Sequence, residues 1–460
     1  VIERRLRLEL NRDTRGSFRA DRLVTHKIVA PAGVVLACVA LLTPGVARAQ
    51  VIDQYLNPDI PGYGTEAGVT VESRAHPEYD QTGVRVGLWT ITPTLNEGFG
   101  YDDNVTGTSN ARGSPLIDTN AMVAAAADYG LTKVNASAMV DDTEYLTQSA
   151  QSYTNWSVAG GVSQDIDRDT LYVGGTYLNL NQTPRDLDAP DLDSTIAFRV
   201  ADLRADYRID LSQAYLLPGV DVSSYNFDNG TAGGLPYVQS YRDRVVVTPT
   251  LEAGYEFATR RRVVVVVRDT QADFSHSVAG IARENFNDAS VLAGVAYDAD
   301  GIIGFRLLVG YEQRNFASSA YKTIAAPIVE GAATWTPTEL TTVKATVARY
   351  IEDSAAEATT GYTETALKLS VDHELYRNII LDAHVAVYLD DYAGGGNQRY
   401  YTGGGGVTWR LNRNLSLIGD YRFSAREASS SVPAAFAPDD EIFGSNYTDN
   451  VFMIRVKAGL

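Results

Sequence analysis

The sequence predicts an all-β fold, a transmembrane antiparallel β-barrel of about eighteen strands with short periplasmic turns and long extracellular loops. Three observations predict it. Apolar and polar residues alternate over short segments, the connections between segments alternate short and long, and the chain opens on an export segment. No stretch beyond the N-terminus stays apolar over the roughly 18 residues that a helical span needs, which excludes a helical membrane protein.

Residues 1–49 read as a signal peptide. Arg19, Arg22 and Lys27 form a basic flank, and 28–42 is an apolar core too short to cross a bilayer. Ala47-Arg48-Ala49 supplies small residues at the cleavage positions and predicts a mature chain from Gln50. No Met precedes the core, and Val24 is the expected translation start. The only cysteine, Cys38, sits inside this segment. Val35-Leu36-Ala37-Cys38 loosely matches a lipoprotein box, but apolar residues 39–42 follow it and the better cleavage site lies downstream. A mature chain without cysteine forms no disulfide and binds no metal through thiolate.

The mature chain carries 30 basic and 53 acidic residues, a net charge of −23. This excludes nucleic acid as a partner, because a phosphate backbone needs a basic surface. It also excludes a polybasic anchor on an anionic membrane face. Loop solvation accounts for the excess; a cation-preferring pore is the sharper reading.

Residues 50–86 hold Pro58, Pro61 and Pro77 and show no strand period. They read as a periplasmic extension or as a plug folded into the pore.

The barrel is expected over 87–460. Ile303, Phe305, Leu307, Val309 and Tyr311 share one face of a segment, and Leu203, Ala205, Tyr207, Ile209 and Leu211 one face of another. Behind the second set run Asp202, Arg204, Asp206, Arg208 and Asp210. A buried sandwich core could not hide such a charged face, so one side must be apolar and the other wet. Short connections fall near Gly130, Asp167, Asp210, Thr259, Asp300, Pro337, Tyr376 and Arg413. Long ones lie near 102–116, 141–153, 182–194, 225–242, 274–286, 314–322, 352–361, 390–398 and 425–446. Nine long and eight short connections join eighteen strands and put both termini on the periplasmic side; one false hairpin would leave sixteen. The last strand alternates Phe452, Ile454, Val456, Ala458 and Leu460 with Met453, Arg455, Lys457 and Gly459. Closing it onto the first strand removes the sheet edges that hydrocarbon would not tolerate.

Arg74-Ala75-His76-Pro77-Glu78-Tyr79-Asp80, then Gly83-Val84-Arg85-Val86-Gly87 and Gly100-Tyr101-Asp102-Asp103-Asn104-Val105, resemble the opening of a family of outer-membrane β-barrel porins. Its members are mostly uncharacterised and often accompany exopolysaccharide synthesis and export genes. The local match covers roughly thirty residues, with the barrel pattern extending it. The resemblance implies the bacterial outer membrane, lipopolysaccharide and lipid as surroundings, and polysaccharide-export proteins as periplasmic partners. The amphipathic terminal strand resembles the signal read by barrel-assembly machinery, with Leu460 where Phe is usual. No functional residue is carried over. Tyr101 suits an aromatic girdle, and Asp102, Asp103 and Asn104 suit a loop start, where Asx side chains bond nearby backbone.

Covalent chemistry has little support. Among His76, His276, His373 and His384, only His276 lies between serines in an outer loop, as Asp273-Phe274-Ser275-His276-Ser277. Adjacency does not make a triad, and no catalytic, cofactor or metal residue is assigned. Asp186, Asp188, Asp191 and Asp193 crowd one loop, and Asp439, Asp440 and Glu441 another; lacking calcium-loop spacing, they read as solvated charge. The Gly394–396 and Gly403–406 runs lack a following Lys-Ser or Lys-Thr and read as curvature or plug clearance. The candidate pore-lining residues are Asp202, Arg204, Asp206, Arg208, Asp210, Glu252, Glu256, Arg306, Glu312, Asp382, His384, Asp420, Arg422, Arg455 and Lys457. Most are expected to pair across strands and stiffen the wall, and His384 beside Asp382 to be a hydrogen-bonded wall residue. Tyr172 and Tyr388 are too few for a sugar track. A porin-like conduit without enzymatic activity follows, with polysaccharide secretion and passive small-solute uptake as rival cargoes. An outer-membrane hydrolase and a non-conducting barrel are the other classes.

Overall fold

The computed structural model describes residues 55, 59–61, 63, 69–189, 193–232, 234–277, 282–297, 302–355, 360–429 and 446–460. The expected signal peptide at 1–49, Asp191 and the acidic run at Asp439, Asp440 and Glu441 lie outside the described residues.

The strands, in order, are β1 (Val84–Val86), β2 (Trp89–Asp102), β3 (Ser114–Asp128), β4 (Thr132–Tyr145), β5 (Tyr153–Ile166), β6 (Asp169–Gln182) and β7 (Ile196–Leu211). There follow β8 (Ala214–Phe227), β9 (Gly230–Ala232), β10 (Leu235–Tyr237), β11 (Arg244–Ala258), β12 (Arg261–Phe274), β13 (Phe286–Tyr297) and β14 (Ile303–Phe316). The last seven are β15 (Ile324–Thr338), β16 (Thr341–Glu352), β17 (Tyr362–Tyr376), β18 (Ile379–Tyr392), β19 (Asn397–Arg410), β20 (Leu415–Ala428) and β21 (Tyr447–Gly459). Eighteen of them, β2–β8 and β11–β21, pair with their neighbours in sequence, and β2 pairs with β21 to close the ring. The barrel therefore has eighteen strands and not sixteen. Strand β1 folds back on β2 at the edge below β21, where Gly83 N–H donates to Leu460 O at 3.0 Å. Strands β9 and β10 form a separate ribbon in the connection before β11.

The short connections fall where the turn residues place them. Gly130, Asp167, Ser212 and Arg260 all take positive φ, as tight hairpins between twisted strands require. The expected long loop over 390–398 is instead a tight turn. Strands β18 and β19 continue into it, and Gly395 and Gly396 turn the chain at φ 98° and 94°.

A 14-residue strand such as β12 spans about 46 Å, and about 35 Å along the barrel axis once tilted by about 40°. The apolar band of an outer-membrane barrel is only about 25 Å tall, so the strand tops rise beyond it. Outward side chains fit that band: Val263, Val265 and Val267 alternate along β12, all exposed. Tyr129, Tyr255, Phe257, Trp335, Tyr376 and Trp409 are exposed near the short-turn end. Phe99, Tyr101, Tyr177, Tyr311 and Phe452 are exposed nearer the long-loop end. These are the two aromatic girdles.

The inner face is not uniformly wet, contrary to the one-side-apolar, one-side-wet expectation. Val264, Val266, Leu292, Leu308 and Ile328 point inward and are buried together. Leu178, Leu180, Phe198, Val200, Tyr225 and Phe227 form a second inner cluster, against which Tyr55 packs. Arg242, from the connection before β11, stacks 4.0 Å from the Phe227 ring centroid. Tyr55 and Arg242 cover the second cluster, and apolar side chains serve there as in a core.

Candidate functional site

All fifteen candidate residues lie on the inner-face parity of their strands, and most are held by neighbours. On β7, Arg204 Nε is 2.8 Å from Asp206 Oδ2 and Arg208 Nε 3.1 Å from Asp210 Oδ1. Asp202 accepts from Ser223 Oγ at 2.6 Å and from the Tyr63 hydroxyl. Arg306 reaches across two intervening strands to Glu252, with contacts of 2.7 and 3.0 Å. Arg455 joins Asp118, at 3.1 Å, to Asp420. Glu256 accepts from Arg260 N–H at 3.0 Å in the periplasmic turn, and Glu312 accepts from Ile351 N–H at 3.2 Å. Arg422 is 3.9 Å from Asp449 and keeps about half its side chain exposed. His384 departs from expectation. It is exposed on the inner face and makes no hydrogen bond among the described residues.

Two segments enter the space these residues enclose. The first is the N-terminal extension. Tyr55 donates to Asp141 Oδ2 at 2.6 Å and accepts from Asn155 Nδ2 at 2.7 Å. Ile60, Pro61 and Tyr63 lie over Gly161 and Gly174; a Cβ at Gly174 would stand 2.5 Å from Pro61 O. Further along, Val71 N–H donates to Thr342 Oγ1 at 2.9 Å, and Lys344 Nζ meets Glu72 at 2.7 Å. Arg74 and His76 converge on Glu374, His76 Nε2 at 2.8 Å. The contacts at 55–63 fall on β4–β7 and those at 71–76 on β16 and β17, nearly opposite in the ring.

The second is the start of the connection after β6, residues 183–189, which turns inward. Arg185 pairs with Asp102 and, at 3.3 Å, with Asp449, and donates to the Tyr145 hydroxyl at 2.8 Å. Tyr447 donates to Arg185 O at 2.7 Å, and Arg426 to Pro184 O at 3.0 Å. Asp188 accepts from Ser354 Oγ and the Tyr392 hydroxyl, both at 3.0 Å, and from Ala355 N–H. Burial pushes the Asp188 carboxyl up to about 6, against the opposing pull of those donors. Burial likewise raises Glu284 to about 8, with the Asp353 charge adding to it. The expectation that Asp186 and Asp188 are solvated loop charge is thus corrected. At 186–188 the connection does not stand in solvent: Asp188 meets donors of the inner wall and Asp186 accepts from Thr183 N–H, whereas Asp193 is exposed as expected.

Between these segments lies a cavity of about 880 Å³. Asp382, His384, Asp420, Arg422, Arg455 and Lys457 line it, whereas the β7 ladder, Glu252 and Arg306 do not. Seven tyrosines line it: Tyr55, Tyr79, Tyr145, Tyr153, Tyr388, Tyr400 and Tyr447. Lys368 stands 5.6 Å from the Tyr388 ring centroid, and Tyr388 and Tyr400 pack 5.9 Å apart. Sequence reasoning singled out only Tyr388 of these. Alternation identifies an inner face, but nothing in a single strand shows which inner residues share one cavity.

The geometry favours binding and passage over covalent chemistry. His276 Nδ1 sits 3.4 Å from Asp243, largely exposed, while Asp273 is taken by Asn285 Nδ2 at 3.0 Å. Asp102, Asp103 and Asp449 come close enough to share an ion. The Arg185 guanidinium already pairs with two of them and supplies the positive charge.

Comparison with known proteins adds a family. A family model described as "Putative beta-barrel porin 2" matches residues 76–459. No curated protein matches the sequence. Among solved structures, OccK2 (OpdF) of Pseudomonas aeruginosa, in complex with glucuronate, is 11% identical with a TM-score of 0.43, covering 81% of this chain and 98% of that one. A BenF-like porin from Pseudomonas fluorescens Pf-5 is 11% identical with a TM-score of 0.43, covering 82% and 100%. At that distance the likeness concerns the barrel and not its lumen.

Proposed function

The chain belongs to the beta-barrel porin 2 family, porin-like channel proteins of the bacterial outer membrane, and from that premise we propose that it passes small polar solutes through a lumen narrowed by its own N-terminal segment. One observation carries this reading. Described residues between Tyr55 and His76 bond to nearly opposite walls, and a cavity of about 880 Å³ lies between them and the inturned connection. That volume suits one small ligand, since such pockets run to roughly 300–1,000 Å³. Secretion of a polysaccharide would require the segment to leave, which makes it the alternative reading. The tyrosines and the mixed charges of the cavity favour a solute with both apolar faces and hydrogen-bonding groups.

Single-channel recording on refolded protein in planar bilayers, with and without residues 50–80, tests the reading. The full chain is expected to conduct weakly and the truncated chain severalfold more. Conductance appearing only after truncation would favour gated export. No conductance in either form, from protein that shows heat-modifiable migration, would overturn the channel reading.

A further inference from the structure

We infer a calcium-type cation site on the inner wall near the extracellular end, centred on Asp390. Asp390 is 1% exposed, and neither carboxylate oxygen has a hydrogen-bond partner among the described residues. A buried, unpaired carboxylate is among the more costly arrangements a protein can hold. Its surroundings deepen the deficit. Glu364 stands directly across from it in the β17–β18 register, where like charges destabilise the pair. The other charged groups near Asp390 are Asp188 and Asp391, also acidic, and no Lys or Arg pairs with it among the described residues.

A hard cation resolves this arrangement. Two facing carboxylates offer up to four oxygens, and calcium accepts bidentate carboxylates, carbonyls and water in a flexible shell. Magnesium suits the site less, because it demands near-octahedral geometry and gives up water reluctantly. Gln398, opposite Asp390 on β19, already uses its Oε1 to accept from Asp188 N–H at 3.2 Å. Its Nε2 lacks a partner, and turning it onto Asp390 is the competing way to satisfy one oxygen. Such a turn would satisfy one Asp390 oxygen and leave the other without a partner. The ion would tie β17 to β18 beneath the point where Asp188 docks, so it would brace the inturned connection as well. This inference does not depend on whether the channel conducts.

Terbium luminescence on the refolded full chain tests it. Tyr362 and Tyr392, ring centroids 4.9 Å apart and one inward step above the pair, are the local sensitisers. Excitation of tyrosine is expected to give terbium emission that calcium displaces at roughly 0.1–1 mM, the range of extracellular calcium modules. Asp390→Asn and Glu364→Gln should each weaken terbium binding at least tenfold, while Asp228→Asn, at an exposed loop acid, should not change it. Heat-modifiable migration of each variant checks folding. Should either variant fail to fold, a calcium-dependent rise in the unfolding temperature of the unaltered chain, absent with magnesium, supports the site. Emission that is absent, or unchanged in a folded Asp390→Asn, overturns it and assigns the carboxylate to Gln398 or to protonation.

Discussion

Arg185 shows how a single side chain anchors the inturned connection to the wall. It pairs with Asp102 and Asp449, which are 0% and 2% exposed, so removing it strands two buried acids. Arg185→Met is expected to cost about 3–5 kcal/mol at the docking site, the usual result of leaving a buried charge unpaired. Residues 183–189 should then become protease-sensitive in the refolded protein, and channel conductance should rise. Asp188 makes the docking pH-dependent. Its carboxyl is raised from 3.8 to about 6, so the docked form holds the proton more tightly than the undocked form does. The stabilisation from that proton is complete below about pH 4 and disappears as pH rises through about 6. Hydrogen exchange at 183–189 is therefore expected to be slower at pH 5 than at pH 7.5, after correction for intrinsic rates. Slower exchange at the higher pH would contradict the assignment. Arg185 did not stand out in the sequence, and Asp188 stood out only as one acid of a crowded loop. Asp188 has acidic neighbours on both sides of it, and its burial depends on Ser354, Ala355 and Tyr392, more than 160 positions away.

At the scale of elements, the N-terminal segment and the wall strands it crosses are matched by glycine. Gly161 and Gly174 leave room for Ile60, Pro61 and Tyr63, and a side chain at 174 would overlap Pro61 backbone. Gly174→Leu is expected to leave the barrel intact, judged by heat-modifiable migration, and to displace residues 59–63, giving a conductance close to that of the truncated chain. An unchanged conductance in a folded variant would show that these residues do not limit flow. The sequence did flag glycines in strands as clearance for a plug, but at Gly403–406, where an added Cβ would meet wall atoms of β18 and β20. The glycines that face the segment lie on β5 and β6. The choice between them depends on how far around the barrel the segment travels, which local pattern does not encode.

For the whole molecule, closure is the controlling event. Strands β2 and β21 pair from Thr94 with Gly459 to Asp102 with Val451, and without this seam the sheet has two open edges. Deleting residues 447–460 is expected to abolish heat-modifiable migration and leave aggregated protein. Net charge acts at the same scale, but weakly. Although the full sequence carries a net charge of −18, inner-wall charges such as Arg306 with Glu252 and Arg455 with Asp420 neutralise one another within the lumen. Reversal potentials in a salt gradient are therefore expected to show modest cation preference rather than exclusion of anions.

The sequence by itself determined the barrel, its strands to within one hairpin, the side of each strand that meets lipid, and the end at which the connections are consistently short. Those properties follow from a period of two and from turn residues, and both are local. Only the tertiary structure decided what fills the barrel: which loop turns inward, where residues 55–80 lie, and which tyrosines and acids share a cavity. Those depend on side chains that meet across a closed ring, where residues hundreds of positions apart become neighbours and burial replaces spacing as the controlling quantity.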